Sequence, residues 1–180
     1  MQKRVTILMG SPRQAGNTAL LAKAFQEGAS QAGHAVRLVD LGALTIAPCL
    51  ACDVCLENGG RCVIDDDMQP VHDLVVASDV LVFATPLYYS TYSGQMKCCL
   101  DRLRQREKNS VYQVRQAALL VVSAASDPAA IEPIAATHAA VVKGLGWENL
   151  GVIAAQGVWA AGAAAGHPAL EQARRMGLAL

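Results

Sequence analysis

Five short apolar runs recur along this chain, and between them the apolar positions return every three or four residues instead. Residues 4–9 (RVTILM), 35–40 (AVRLVD), 79–85 (DVLVFAT), 117–123 (AALLVVS) and 149–155 (NLGVIAA) read as strands. Residues 19–32, 67–78, 93–105, 131–145 and 167–177 read as helices. In the first helix Leu21, Phe25, Gly28 and Ala29 fall at helical spacing. In the third, Met96, Cys99, Leu100 and Leu103 form a core-facing stripe opposite Lys97, Asp101 and Arg104. Asp66, with Gln69 three residues later and Pro70 in the first turn, reads as the cap of the second.

Strands that are apolar throughout need cover on both faces, and strict strand–helix alternation makes the sheet parallel. The expected fold is therefore α/β, a three-layer arrangement with helices on both faces. Two strand orders compete, that of dinucleotide folds and 2-1-3-4-5, and five strands favour the second.

The length of 180 residues fits one domain, 1–180, with a cysteine-rich insertion at 47–66. Formal net charge is zero, so no electrostatic footprint for nucleic acid or an anionic membrane is expected. The one basic cluster, Arg102, Arg104, Arg106 and Lys108, reads as a solvated helix end. No leader-like start and no bilayer-length apolar run is evident, so a cytoplasmic location is expected. The clustered cysteines then read as metal or redox chemistry before structural disulfides. Residues 160–165 are small and read as a loose loop.

Between the first strand and the first helix lies GSPRQAGNT, Gly10 to Thr18. A strand end running into a helix N-terminus exposes backbone N–H groups and the positive end of the helix dipole, which suits a phosphate. Ser11, Asn17 and Thr18 add side-chain hydrogen bonds, Arg13 a positive fork, and Gly16 room for close backbone approach. The loop lacks both the Gly-Lys-Ser/Thr ending of a P-loop and the three-glycine dinucleotide spacing. It could also be a plain turn capped by Asn17. Ligands in such sheets bind beyond the carboxyl ends of the strands, and the loop after the third strand carries Pro86, Leu87, Tyr88, Tyr89 and Tyr92. Tyrosines beside a phosphate cradle point to a flat aromatic ligand bearing a phosphate; burial at a subunit contact is the other reading.

With GSPRQAGNT at 10–18, PCLACDVCLENGGRCVIDDDM at 48–68 and ATPLYYSTYSGQMKCCLDR at 84–102, the chain resembles the flavodoxin-like NADPH-dependent FMN reductase family, including its iron–sulfur flavoprotein branch. The resemblance implies FMN as cofactor and NAD(P)H as electron donor. It implies that Ser11, Arg13, Gly16, Asn17 and Thr18 hold the FMN phosphate. Pro86, Leu87, Tyr88 and Tyr89 would shape the ring site, and Ser123 and Ala124 would close its other edge. It further implies a homodimer or homotetramer serving a small-molecule or protein electron acceptor.

Cys49, Cys52, Cys55 and Cys62 form C-x2-C-x2-C-x6-C. Four thiolates can hold a [4Fe–4S] cluster or zinc, and spacing does not decide between them. The iron–sulfur branch uses such a run as cluster ligands, which favours iron; redox-sensitive thiols and zinc stay open. Cys55 to Arg61 also spells C-x5-R, the spacing of a phosphatase loop, but no convincing strand precedes it. His34, His72, His138 and His167 sit on expected helices or their ends and read as surface or capping groups. No side chain is expected to be catalytic, since a bound flavin carries the chemistry. The competing class is a flavodoxin-like electron carrier, usually acidic, against which the zero net charge argues mildly.

Overall fold

The computed structural model describes residues 1–104 and 112–180, so Gln105, Arg106 and Lys108 of the expected third helix and basic cluster lie outside the described residues. Strands β1 (Arg4–Met9), β2 (Ala35–Asp40), β3 (Val80–Pro86), β4 (Gln116–Val122) and β5 (Glu148–Ala155) form one sheet in the order β2-β1-β3-β4-β5. Every neighbouring pair is parallel. The helices are α1 (Asn17–Gln31), α2 (Val54–Glu57), α3 (Met68–Val76), α4 (Gly94–Arg102), α5 (Glu132–Gly144) and α6 (Pro168–Leu178). Single 3-10 turns precede the cysteine segment at Leu41–Ala43 and α5 at Pro128–Ile131. None of the described helices is long and apolar enough to cross a membrane.

The apolar runs are continuous because successive side chains feed two different cores. Val80, Val82 and Ala84 of β3, with Ala118, Leu120 and Val122 of β4, pack on Leu21 and Phe25 of α1 and Ala169 and Ala173 of α6. Leu81, Phe83, Leu119 and Val121 face the other way, onto Met68, Val71 and Val75 of α3, Met96 and Cys99 of α4 and Ile134 and Val142 of α5. Each fully buried Leu, Val or Phe stabilises the fold by about 1.5–3 kcal/mol. The stripe along α4 is as expected, and Lys97 pairs with Asp101 at 2.6 Å on its exposed side.

Four local expectations change. Arg102 is no solvated helix end: it is 2% exposed, and its guanidinium pairs with Asp66, itself nearly buried, at 2.8 and 3.1 Å. Asp67, not Asp66, stands at the N-cap of α3 and its side chain makes no cap bond; Asp66 accepts the Met68 N–H at 3.1 Å from one position further out, and Gln69 reaches Ile64 O at 3.5 Å instead of closing a capping box. His72 and His138 are buried; His72 Nε2 lies 2.8 Å from Arg102 O, and His138 packs edge-on against Phe83. His167 is a cap as expected, accepting the Ala169 N–H at 3.1 Å. Finally, β5 starts at Glu148 and carries a bulge opposite Ala117 and Ala118, where Gly151 takes φ 106°.

Candidate functional site

The carboxyl ends of β1, β3, β4 and β5 surround a cavity of about 170 Å³ lined by Ser11, Arg13, Gly16, Asn17, Thr18, Pro86, Leu87, Tyr88, Val122, Ala124, Val158 and Trp159. Gly10 opens the first loop, its N–H donating to Ala84 O at 2.8 Å. A Cβ there would run into Met96 and Ser93, so glycine is what lets α4 approach. Ser11 Oγ accepts the Arg13 N–H at 3.2 Å, and Gly16 occupies the N-cap of α1 in extended conformation, with no side-chain cap. The first N–H groups of α1 have no intrahelical acceptor and sit at the cavity. Thr18 is nearly buried beside them.

Asn17 lines the cavity too, yet its carboxamide faces elsewhere. Nδ2 donates to Ala160 O at 2.8 Å and Oδ1 accepts the Ala164 N–H at 3.1 Å. What Asn17 offers the cavity is its backbone; its side chain ties residues 160–164 to the start of α1. Those small residues are therefore not a loose loop, and Ala164 is fully buried.

The loop after β3 is held by Leu87 N–H, which donates to Val122 O at 2.7 Å. Tyr88 and Thr91 then exchange two backbone hydrogen bonds of 3.0 Å, with Tyr89 (φ 48°) and Ser90 (φ 63°) at the tip. Positive φ at both central residues is the pattern of a type I′ turn, which Gly and Asn prefer. A tyrosine there is strained, and strain of this kind gathers at functional sites. Tyr88 lines the cavity, whereas Tyr89 does not and is fully exposed. Tyr92 points into the core, its hydroxyl 3.1 Å from His138 Nδ1. Burial pushes the Tyr92 hydroxyl well above its ordinary pKa and brings His138 down to about 4.

After β4 the Ser123 hydroxyl accepts the Ala125 N–H at 3.0 Å, and it is Ala124 that lines the cavity. Val158 N–H donates to Ser123 O at 3.0 Å, which carries Trp159, 76% exposed, to the rim. Val122, Val158 and Trp159 escape the sequence reading; an isolated tryptophan in an alanine- and glycine-rich stretch was the available signal.

Cys49, Cys52, Cys55 and Cys62 together line a second, small cavity of about 20 Å³, with Leu50, Val63, Ile64, Asp101, Arg102 and Arg104. The segment folds tightly, with Ala51 (φ 52°) and Asp53 (φ 56°) in left-handed conformation and the Ala51 N–H directed at Cys49 Sγ at 3.4 Å. Burial, and then the neighbouring Cys62, Cys49 and Cys52, push the Cys55 thiol up. The thiols thus share one cavity, but among the described residues no three His, Cys, Asp or Glu side chains form a ready metal-holding group. Cys55 lies on α2, which a 3-10 turn and ten further residues separate from β2, so no strand runs into it and C-x5-R is not a phosphatase loop here. Cys99 is buried in the core, its thiol pushed up to about 12 by burial.

Residues 3–174 match the NADPH-dependent FMN reductase family. The chain is 31% identical over 136 residues to the iron-sulfur flavoprotein of Methanosarcina thermophila, a match covering 75% of this chain and 71% of that protein. It is 35% identical over 96 residues to an iron-sulfur flavoprotein of Archaeoglobus fulgidus, covering 53% of this chain and 43% of that one. The chain thus spans less than half the length of the second relative. In fold it resembles an NAD(P)H:quinone oxidoreductase from Methanothermobacter marburgensis, with a TM-score of 0.81 at 20% identity, over 99% of this chain and 96% of that one. The parallel sheet in flavodoxin-like order and the match along nearly the whole sequence agree: the chain belongs to the NADPH-dependent FMN reductase family of oxidoreductases.

Proposed function

We propose that this chain binds FMN, reduces it with NAD(P)H and passes the electrons to a small-molecule or protein acceptor. The observation that carries this reading is the single cavity lined jointly by the Ser11–Thr18 loop, Pro86, Leu87 and Tyr88. A phosphate fits its first side, where the α1 amides, the Ser11 and Thr18 hydroxyls and the Arg13 guanidinium are all donors. A flat ring fits the second, where Pro86 and Leu87 present apolar surface and the Leu87–Val122 bond keeps the backbone fixed. When bound, FMN supplies hydride and electron transfer. The chain's own residues bind and orient it, while Val122, Val158 and Trp159 screen part of it from water.

We infer further that the cysteine quartet holds a [4Fe–4S] cluster, which would supply one-electron transfer. The residues fit such a group: four thiols and no competing histidine line the cavity, and Leu50, Val63 and Ile64 give it apolar walls. The similarity to iron-sulfur flavoproteins supports the same reading. Protein purified without oxygen and mixed with NADPH or NADH is expected to show bleaching of the flavin bands, with iron and acid-labile sulfide near four per chain. Bleaching only by a ferredoxin-like donor would make the protein a carrier. Stoichiometric zinc without sulfide would make the quartet a structural zinc site.

A further inference from the structure

We propose that Arg102 is the positioning residue of the cysteine quartet: it clamps the two ends of the cysteine segment and keeps a buried, unpaired Nε–H at the cavity the four thiols line, so that it governs both the retention and the reduction potential of a cluster held there. The inference rests on the cluster reading above. Arg102 is the last residue of α4 and lines the cavity together with the cysteine segment. One Nη donates to Ala47 O at 3.0 Å and to Asp66 Oδ2 at 2.8 Å, and the other donates to Asp66 Oδ1 at 3.1 Å. Ala47 stands two residues before Cys49 and Asp66 four residues after Cys62. The Ala47 N–H also donates to Asp66 Oδ2, at 2.9 Å. Both ends of the segment therefore close on one guanidinium.

A clamp needs only the two Nη groups. The Nε–H is buried and has no acceptor among the described residues, although buried donors are paired in the great majority of cases. Arg102 lines the same cavity as all four cysteines. Its charge is met by the Asp66 carboxylate, 2.8 Å away and nearly as buried. A buried ion pair is in itself weak support for a fold. A buried cation whose free donor borders four thiols has a clearer use. Asp66 balances the guanidinium charge, so what Arg102 brings to the thiols is a hydrogen-bond donor; hydrogen bonds to sulfur help set the potential of a thiolate-bound cluster, and a donor favours the more negative, reduced state.

α4 also places this residue relative to the other cavity. Its first turn is capped by Ser93, whose Oγ accepts the Met96 N–H at 3.2 Å and donates to Gly10 O, while the Ser93 N–H donates to Thr85 Oγ1 at 3.1 Å. One helix of nine residues, about 13.5 Å long at 1.5 Å per residue, therefore joins the phosphate loop to the cysteine cavity. Arg102 lies outside the FMN cavity, so changing it should leave flavin binding intact.

The test uses the full chain, reconstituted anaerobically with ferrous iron and sulfide. Arg102→Lys keeps a cation opposite Asp66 but removes the Nε–H and the fork. Arg102→Gln combined with Asp66→Asn removes both charges and leaves no buried carboxylate unpaired. Both variants are expected to lose iron to a ferrous chelator at least tenfold faster than the parent. They should also show a more negative cluster midpoint potential, with FMN affinity and circular dichroism unchanged. Parental iron loss and potential in both variants would overturn the proposal. Loss confined to the double variant would overturn the role of the Nε–H, since the ion pair by itself would then suffice. If the Lys variant does not fold, the double variant decides. Failure of the parent itself to take up iron and sulfide would overturn the cluster reading and this inference together, before any variant is compared.

Discussion

The side chains at the first loop divide into those that face the cavity and those that build its walls. Ser11, Arg13 and Thr18 face it, whereas the Asn17 carboxamide braces residues 160–164. Replacing Arg13 by Ala and Thr18 by Val therefore removes two donors to the phosphate, each worth about 0.5–3 kcal/mol. FMN affinity, measured by fluorescence titration, is expected to weaken at least about tenfold, the equivalent of ~1.4 kcal/mol. Unchanged affinity would place the phosphate elsewhere. The tyrosines divide in the same manner: Tyr88 lines the cavity, Tyr89 projects from a strained turn, and Tyr92 is tied to His138 in the core.

Among the elements, α1 and α6 depend on two glycines for their close approach. A Cβ on Gly28 would collide with the Arg174 carbonyl, and one on Gly177 with that of Phe25. Both obstacles are backbone, so relief requires the helices to separate and Phe25, Ala169 and Ala173 to lose contacts. Gly28→Val is expected to destabilise the chain by about 3 kcal/mol or more, at the upper end of overpacking. The urea midpoint measures this. A variant within 0.5 kcal/mol of the parent, roughly the effect of a neutral surface change, would show that the pair has room to spare. α1 also starts the phosphate loop, so this packing supports the site as well as the core.

For the whole molecule, titratable groups link stability to pH in two separate windows. His138 has a pKa of about 4 when folded, below the ordinary 6.5 of an exposed histidine. Between those values the unfolded chain binds the extra proton. Its contribution is therefore complete above pH 6.5 and is lost as pH falls toward 4, by about 3 kcal/mol in all. Asp66, held low by Arg102 and two backbone N–H groups against its burial, contributes above its ordinary 3.8 and loses that contribution only below it. Asp79, held low by the Arg4 backbone N–H and side chain, behaves the same way. Urea midpoints at pH 7, 5.5 and 4.5 should fall steadily in the parent and much less in His138→Gln. Equal slopes would mean that His138 titrates normally.

Local pattern alone determined the five strands, every helix but α2 and the two sites' raw material, and the count of strands favoured the order that strand pairing in the sheet then fixed. Apolar runs of six or seven residues, helical spacing between them, a small-residue loop at the first strand end and a compact cysteine spacing are all short-range signals. Their physical causes, the pleat, the helical period and the reach of a thiol, operate within a few residues. Tertiary structure decided what depends on distant partners. Arg102 meets Asp66 across 36 positions, Asn17 meets residues 160–164 across more than 140, and Tyr92 meets His138 across 46. Nothing local distinguishes a buried arginine at a helix end from a solvated one, because both suit the dipole equally well. Only the fold brings a carboxylate to the first and water to the second. Trp159 reaches the cavity for the same reason, through a strand and a loop that the sheet order places beside the first helix.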